Sequence, residues 1–315
     1  MKPYIKIADT KKLTHEEWLE IRKQGIGGSE AAAVVGLNPY QSAYAVWHEK
    51  KSLAEPFEGN DKTRLGTDLE SYVAKRFEEE TGKKVKRLNA VLRSTKYPFM
   101  IADVDRIIVG ENSGLECKTT TNSDRYDFSA GEYPLYWRCQ VLHYMAVTGA
   151  KKWYISVLDL SNARLSVIPV EWDETDATAL ITGEKCFWVD KIEKNVCPAP
   201  DGSEACERII QEKYPQADES LPSVDLMAYE REMSQLSRVK AELAELDKEK
   251  ESLEQKLKEA LGEAARGEYG LYTVSYKNTT TTRLDGKKLK TEQPEIYERY
   301  ARESTSRRFL FTVKK

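Results

Sequence analysis

Two short runs of strand-forming residues, 99–109 and 114–119, meet across the turn chemistry of Gly110 to Gly114, and both carry acids. Stretches of helical spacing lie on either side of them. A chain that pairs these runs must therefore fold as strands covered by helices, a mixed α/β class. In a strand, residues two apart share a face, so Glu116 and Lys118 project together while Leu115 and Cys117 go to the other side. Asp105 lies on the partner run of the expected hairpin, and Asp103 shares its parity. Carboxylates gathered this closely repel one another, at a cost on the order of several kcal/mol unless a cation neutralises them.

The remaining elements follow from caps and periodicity. Thr14 and Glu17 form a capping box that opens a helix expected to stop at Gly25, and a short Ala-rich helix follows Gly27-Gly28-Ser29, with Ser29 as its cap. Ser42 caps a third helix running through Trp47. Residues 66–80 read as a fourth, with Leu69, Val73 and Phe77 on one side. Residues 136–148 and 175–193 have helical spacing, and 153–158 and 164–170 alternate as strands. Residues 195–223 hold four prolines among polar residues without periodicity and read as an irregular bridge. Beyond it Leu236, Leu243, Lys250 and Leu257 form one heptad series, and Val239, Leu246, Leu253 and Ala260 the other, the pattern of a coiled-coil seam. Residues 271–276 and 309–313 read as strands in a segment, 273–315, with eleven Lys and Arg against five Asp and Glu. The organisation expected is a core over 1–197, a bridge over 198–225, a coiled-coil-like helix over 226–262 and a basic accessory region over 263–315.

Charge and cysteine usage narrow the function. With 49 Lys and Arg against 52 Asp and Glu, bulk attraction cannot coat nucleic acid, so any basic surface is local. The five cysteines are scattered without a C-x-x-C pair, which speaks against a disulfide framework, a zinc site or an iron–sulfur cluster. No apolar run approaches a membrane span, and the first twelve residues lack the apolar stretch of a secretory signal, so the cytoplasm is the expected compartment.

Hard oxygen ligands without a well-placed histidine suit Mg²⁺, or Mn²⁺ as a substitute. Such an ion acidifies bound water and stabilises charge on a phosphoryl oxygen, which is phosphodiester hydrolysis chemistry, with Lys118 placed to compensate charge. Glu70 lies at the border of an apolar helical stripe, from where it can turn toward a sheet. Gln140 and Tyr144 stack four apart on one helix face. Upstream, Arg22 and Ser29 flank Gly25-Ile26-Gly27-Gly28, an approach that favours an anion such as phosphate.

Taken together, RKQGIGGSEAAAVVG (22–36), GTDLE, ADVDR, LECK and QVLHY resemble the YqaJ-like viral recombinase family, relatives of the phage lambda exonuclease among the PD-(D/E)XK nucleases. The resemblance spans about residues 15–195. It implies a restriction-endonuclease-like core, a central mixed sheet flanked by helices, that uses Mg²⁺ to degrade one strand of linear double-stranded DNA from the 5′ end. It also implies site residues. Asp105 and Glu116 become metal ligands with the Cys117 carbonyl, Lys118 the catalytic lysine, and Glu70 a helper at the metal. Gln140 and Tyr144 become active-site residues, and Arg22 and Ser29 hold the DNA 5′-phosphate. Val104 stands where the family's namesake proline would be. The partners implied are duplex ends, a single-strand annealing protein of the RecT or Red beta type, and further copies of the chain in a trimeric ring. Other outcomes for such residues are a structure- or sequence-specific endonuclease of the same fold and a non-catalytic DNA end-binding scaffold.

Overall fold

The computed structural model describes residues 2–54, 59–121, 125–303 and 306–313, and it divides into Met1–Tyr214 and Pro215–Lys315. Ser304, Thr305, Lys314 and Lys315 of the basic C-terminal segment lie outside the described residues.

The first unit is built on a five-stranded mixed sheet. Its strands are β2 (Val85–Lys86), β5 (Arg106–Ile108), β6 (Ser113–Thr120), β7 (Lys152–Asp159) and β8 (Arg164–Glu171), in the order β2-β5-β6-β7-β8. The pair β6 and β7 is parallel and its neighbours are antiparallel. A parallel pair needs a crossover, and helix α5 (Leu135–Thr148) supplies it between Pro134 and the left-handed Gly149, whose φ is 72°. A smaller sheet joins β1 (Tyr4–Ala8), β3 (Val91–Ser94) and β4 (Ile101–Asp103). Helices α1 (His15–Arg22), α2 (Gly28–Val34), α3 (Ala43–Lys50), α4 (Asp61–Thr81) and α6 (Glu174–Phe187) flank these sheets.

Packing divides by sheet face. Leu115 and the alternate face of β6 join Ala74 and Phe77 of α4, and Trp153, Ile155 and Val157 of β7 join the cluster that includes Val141 and Met145 of α5. Each such buried Leu, Ile, Val, Phe or Met side chain contributes about 1.5–3 kcal/mol. Gly114 pairs with Trp153 across the parallel ladder, and a Cβ there would lie 2.1 Å from the indole, so this register demands glycine.

Four expectations are corrected. The run 99–109 is not one strand but β4 and β5, which belong to different sheets. The β5–β6 register, Arg106 opposite Leu115, would put Asp105 opposite Glu116 if continued. Like charges directly opposite are destabilising, and the ladder stops there. Helix α4 begins at Asp61 rather than Gly66, because Asn60 accepts from the N–H groups of Lys62 (3.0 Å) and Thr63 (3.1 Å). The bridge over 195–223 contains α7 (Glu204–Lys213), capped by Ser203. Its Ala205, Cys206 and Ile209 pack on Tyr44 and Ala45 of α3. No strand forms over 309–313; Lys240 instead donates to the Phe311 carbonyl at 3.1 Å.

The second unit carries α8 (Glu230–Leu261), the hairpin β9 (Arg266–Tyr269) and β10 (Tyr272–Ser275), and helices α9 (Gly286–Glu292) and α10 (Pro294–Tyr300). The heptad residues Val239, Leu243, Leu246, Leu253 and Leu257 of α8 are exposed. Among the described residues no helix is long and apolar enough to cross a membrane.

His143 of α5 and Glu184 of α6 are both fully buried, with Nδ1 2.9 Å from the carboxylate and Nε2 2.8 Å from the Ile101 carbonyl of β4. Burial opposes the imidazolium, but Glu184, the Ile101 carbonyl and Glu30 together raise the His143 pKa. Its contribution to stability is therefore complete below about pH 6.5 and is lost as pH rises through the raised value. The urea unfolding midpoint should fall over that interval in the parent protein, and the fall should be smaller in His143→Gln.

Candidate active site

Where β4 gives way to β5, the Asp105 carboxylate takes over a ladder position. Its Oδ2 accepts from the Cys117 N–H of β6 at 2.9 Å, a bond that ties the break to the strand carrying Glu116 and Lys118. Glu116 is 3% exposed. Its Oε1 accepts from Lys118 Nζ at 2.6 Å and from Gln140 Nε2 at 2.8 Å, and Lys118 also donates to Gln140 Oε1 at 2.8 Å. Gln140 Nε2 donates in addition to the Tyr144 hydroxyl at 2.9 Å. The amide of Gln140 thus ties ammonium, carboxylate and phenol into one chain. Strand parity set this up: Glu116 and Lys118 face α5, while Cys117 packs with Leu115 toward α4.

The electrostatics are unfavourable without a cation. Burial, and then the neighbouring Glu116 charge, hold the Asp105 pKa well above the carboxylate range against the Cys117 N–H and Lys118. Burial followed by the charges of Glu116 and Asp105 likewise raises the Tyr144 phenol, and burial raises the Cys117 thiol. Tyr144 is a neutral hydroxyl and Cys117 an inert thiol. The second oxygen of Glu116, Oε2, is buried and has no hydrogen-bond partner. An orphaned carboxylate oxygen beside a second buried carboxylate is a donor set that fits a hard divalent ion. Among the described residues no three His, Cys, Asp or Glu side chains gather into a ligand set, so such an ion would rely on two carboxylates, main-chain oxygen and water, as Mg²⁺ commonly does.

Every residue singled out from the sequence lines one cleft of about 790 Å³: Arg22, Ser29, Glu70, Asp105, Glu116, Cys117, Lys118, Gln140 and Tyr144. Their partners differ from expectation in places. Glu70 does not bond with the Asp105–Glu116 group; its Oε1 is held by Arg106 and, at 3.1 Å, by Arg87. Arg106 also donates to the Asp105 carbonyl at 2.7 Å, so it fastens Glu70 to the strand break. Ser29 does not cap α2. Gly27 stands at the cap, its N–H donating to Glu30 at 2.8 Å, and Ser29 is exposed on the first turn. Asp103 accepts from the Trp18 indole at 3.2 Å, and burial raises its pKa.

Arg22 stacks on Trp18, 4.9 Å from the ring centroid, and donates to Glu30 at 2.7 Å. Sequence reasoning missed Arg106, Glu30 and Trp18. A glutamate three residues after Gly27 is a legible capping signal, whereas nothing local marks Arg106 as buried.

A central mixed sheet flanked by helices carries this cleft. A solved structure of LHK-Exo in complex with dAMP superposes with TM-score 0.50 at 19% identity, covering 57% of this chain and 94% of that one. The alkaline exonuclease LHK-Exo from Laribacter hongkongensis gives TM-score 0.48 at 18% identity, covering 57% and 94%. The YqaJ-like viral recombinase domain matches residues 17–151, and the uncharacterized protein YqaJ of Bacillus subtilis (strain 168) is 34% identical over 307 residues, 96% of each chain. The chain belongs to the YqaJ-like viral recombinase family.

Because Asp105 and Glu116 repel in the metal-free protein, Asp105→Asn should raise its melting temperature in chelator at pH 8. The rise expected is about 2–4 °C. A lower melting temperature for the variant would show that the repulsion is already relieved in the folded chain.

Proposed function

We propose that this chain is a divalent-metal-dependent exonuclease that digests one strand of linear double-stranded DNA from the 5′ end. The observation that carries the reading is the pairing of two buried carboxylates, one with an unpartnered oxygen, beside a lysine 2.6 Å from Glu116. The exonuclease LHK-Exo, which shares the fold, supports the class of reaction. Mg²⁺ is the ion that suits the donors: Asp105, Glu116 and the Cys117 carbonyl would hold it with help from Glu70, and it would supply an acidified water and neutralise phosphoryl charge.

The chain's own groups do the rest. Two of the three Lys118 N–H donors are engaged by Glu116 and Gln140, and the third is available to compensate charge on the phosphoryl oxygen. Gln140 fixes where that ammonium sits, and neutral Tyr144 fixes Gln140. Arg22 and Ser29, in the same cleft, receive the terminal 5′-phosphate. The 3′ single strands left behind suit recombination with a single-strand annealing protein of the RecT or Red beta type, in the cytoplasm of a bacterial host and from a phage or prophage. A trimeric ring, by likeness to lambda exonuclease, would confine basic surface to a channel and accommodate a net charge of -3.

Digestion of a linear duplex labelled separately at each end, with and without Mg²⁺, tests the reading. Loss of label should begin at 5′ ends, require the ion, and spare covalently closed circles. Asp105→Ala and Lys118→Ala should each lower the rate by about 10³-fold or more while DNA binding persists. Cleavage of closed circles, or near-normal rates in both variants, contradicts the assignment.

A further inference from the structure

The charge cluster behind Arg22 plays no part in hydrolysis as described, yet it contains, among the described residues, the most deeply buried lysine ammonium of the first unit's ion pairs. Lys50 of α3 and Glu30 of α2 have side chains 2% and 3% exposed. Lys50 Nζ lies 2.6 Å from Glu30 Oε2 and 2.5 Å from the main-chain carbonyl of Arg22. Oε2 also accepts the Gly27 N–H, which leaves Oε1 for Arg22 Nη2. Lys50 therefore grips Arg22 at its backbone directly and at its guanidinium through Glu30.

We propose that Lys50 and Glu30 are positioning residues that set Arg22 to discriminate 5′-phosphorylated from 5′-hydroxyl DNA ends. The inference rests on the phosphate-binding role of Arg22 given above. Its physical basis is a competition for one carboxylate. An arginine and a carboxylate left alone prefer a bidentate fork, which would consume two guanidinium N–H groups and cancel the charge. With Lys50 and the Gly27 N–H on Oε2, Arg22 is held through one nitrogen on Oε1. Its other N–H groups remain for an oxyanion, and the Trp18 ring beneath fixes the plane.

The charge balance agrees. Burial pushes Glu30 up, but Lys50, Arg22 and the Gly27 N–H overcome it and hold the carboxylate below its ordinary range. Two cations thus share the Glu30 carboxylate, while burial lowers the Lys50 pKa. The nearby Glu49 accepts from Gln41 at 3.3 Å, and burial with the Glu30 charge raises its pKa. Arg22, whose side chain is 27% exposed, carries the cluster to the cleft. Replacing a buried ion pair as a unit is often neutral in stability, whereas removing one partner leaves the other charge uncompensated.

The test is kcat and KM of the full-length enzyme with Mg²⁺ on 5′-phosphorylated and 5′-hydroxyl linear duplexes of one sequence. Lys50→Met should reduce the phosphate preference in kcat/KM by about tenfold, while kcat on hydroxyl-ended duplex stays at the parent value. In an Arg22→Ala background the same substitution should change the preference no further, the signature of action through Arg22. If Lys50→Met does not fold, Glu30→Gln/Lys50→Met removes the buried pair as a unit and should show the same loss. Parent-like preference in the folded variant, or an equal loss in both backgrounds, overturns the inference. A parent enzyme that digests both ends alike overturns the phosphate pocket itself, and this inference with it.

Discussion

Like-charge repulsion between two carboxylates that the β5–β6 register would set face to face shapes the centre of this molecule. The strand breaks at Val104 and Asp105, one half joins the three-stranded sheet, and the other pairs with β6. Asp105 then serves as a hydrogen-bond acceptor for the strand from which it has departed. The parallel pairing of β6 with β7 completes the arrangement, because it requires a crossover, and the crossover helix α5 brings Gln140 and Tyr144 over the same face. Sheet topology and site composition are one decision.

Two polar systems face the cleft with different characters. On the α5 side, a lysine, a carboxylate, an amide and a phenol are linked in series, with the phenol kept neutral by burial and by negative neighbours. On the α4 side, Glu70 is answered by Arg106 and Arg87. The cleft is therefore lined by carboxylates together with Arg22, Arg87 and Arg106, of which Arg106 is buried. Carboxylates and guanidinium groups thus line one depression.

Much of this was legible from the chain. Period-two parity placed Glu116 and Lys118 on a common face, period 3.6 stacked Gln140 on Tyr144, and the Thr14–Glu17 box opened α1 as expected. What stayed hidden involves partners distant in sequence. Arg106 reads as an ordinary strand residue until Glu70, thirty-six positions earlier, is folded against it. Lys50 looks like a solvated helix end until Glu30 takes it inside. The bridge over 195–223 concealed α7 because its prolines flank a short amphipathic segment that gains its stability by docking on α3. The strand expected over 309–313 had the right residue types, but a strand needs a partner edge.

Gly28 illustrates how tightly the two halves of the cleft are joined. A Cβ at that position would come within 2.4 Å of the Tyr144 ring, so α2 rests on the very phenol that steadies Gln140. No side chain fits between them without displacing one wall or the other. A bulkier residue at this junction would therefore disturb both walls of the cleft at once, so that a change in the shape of either must come from somewhere else on the rim.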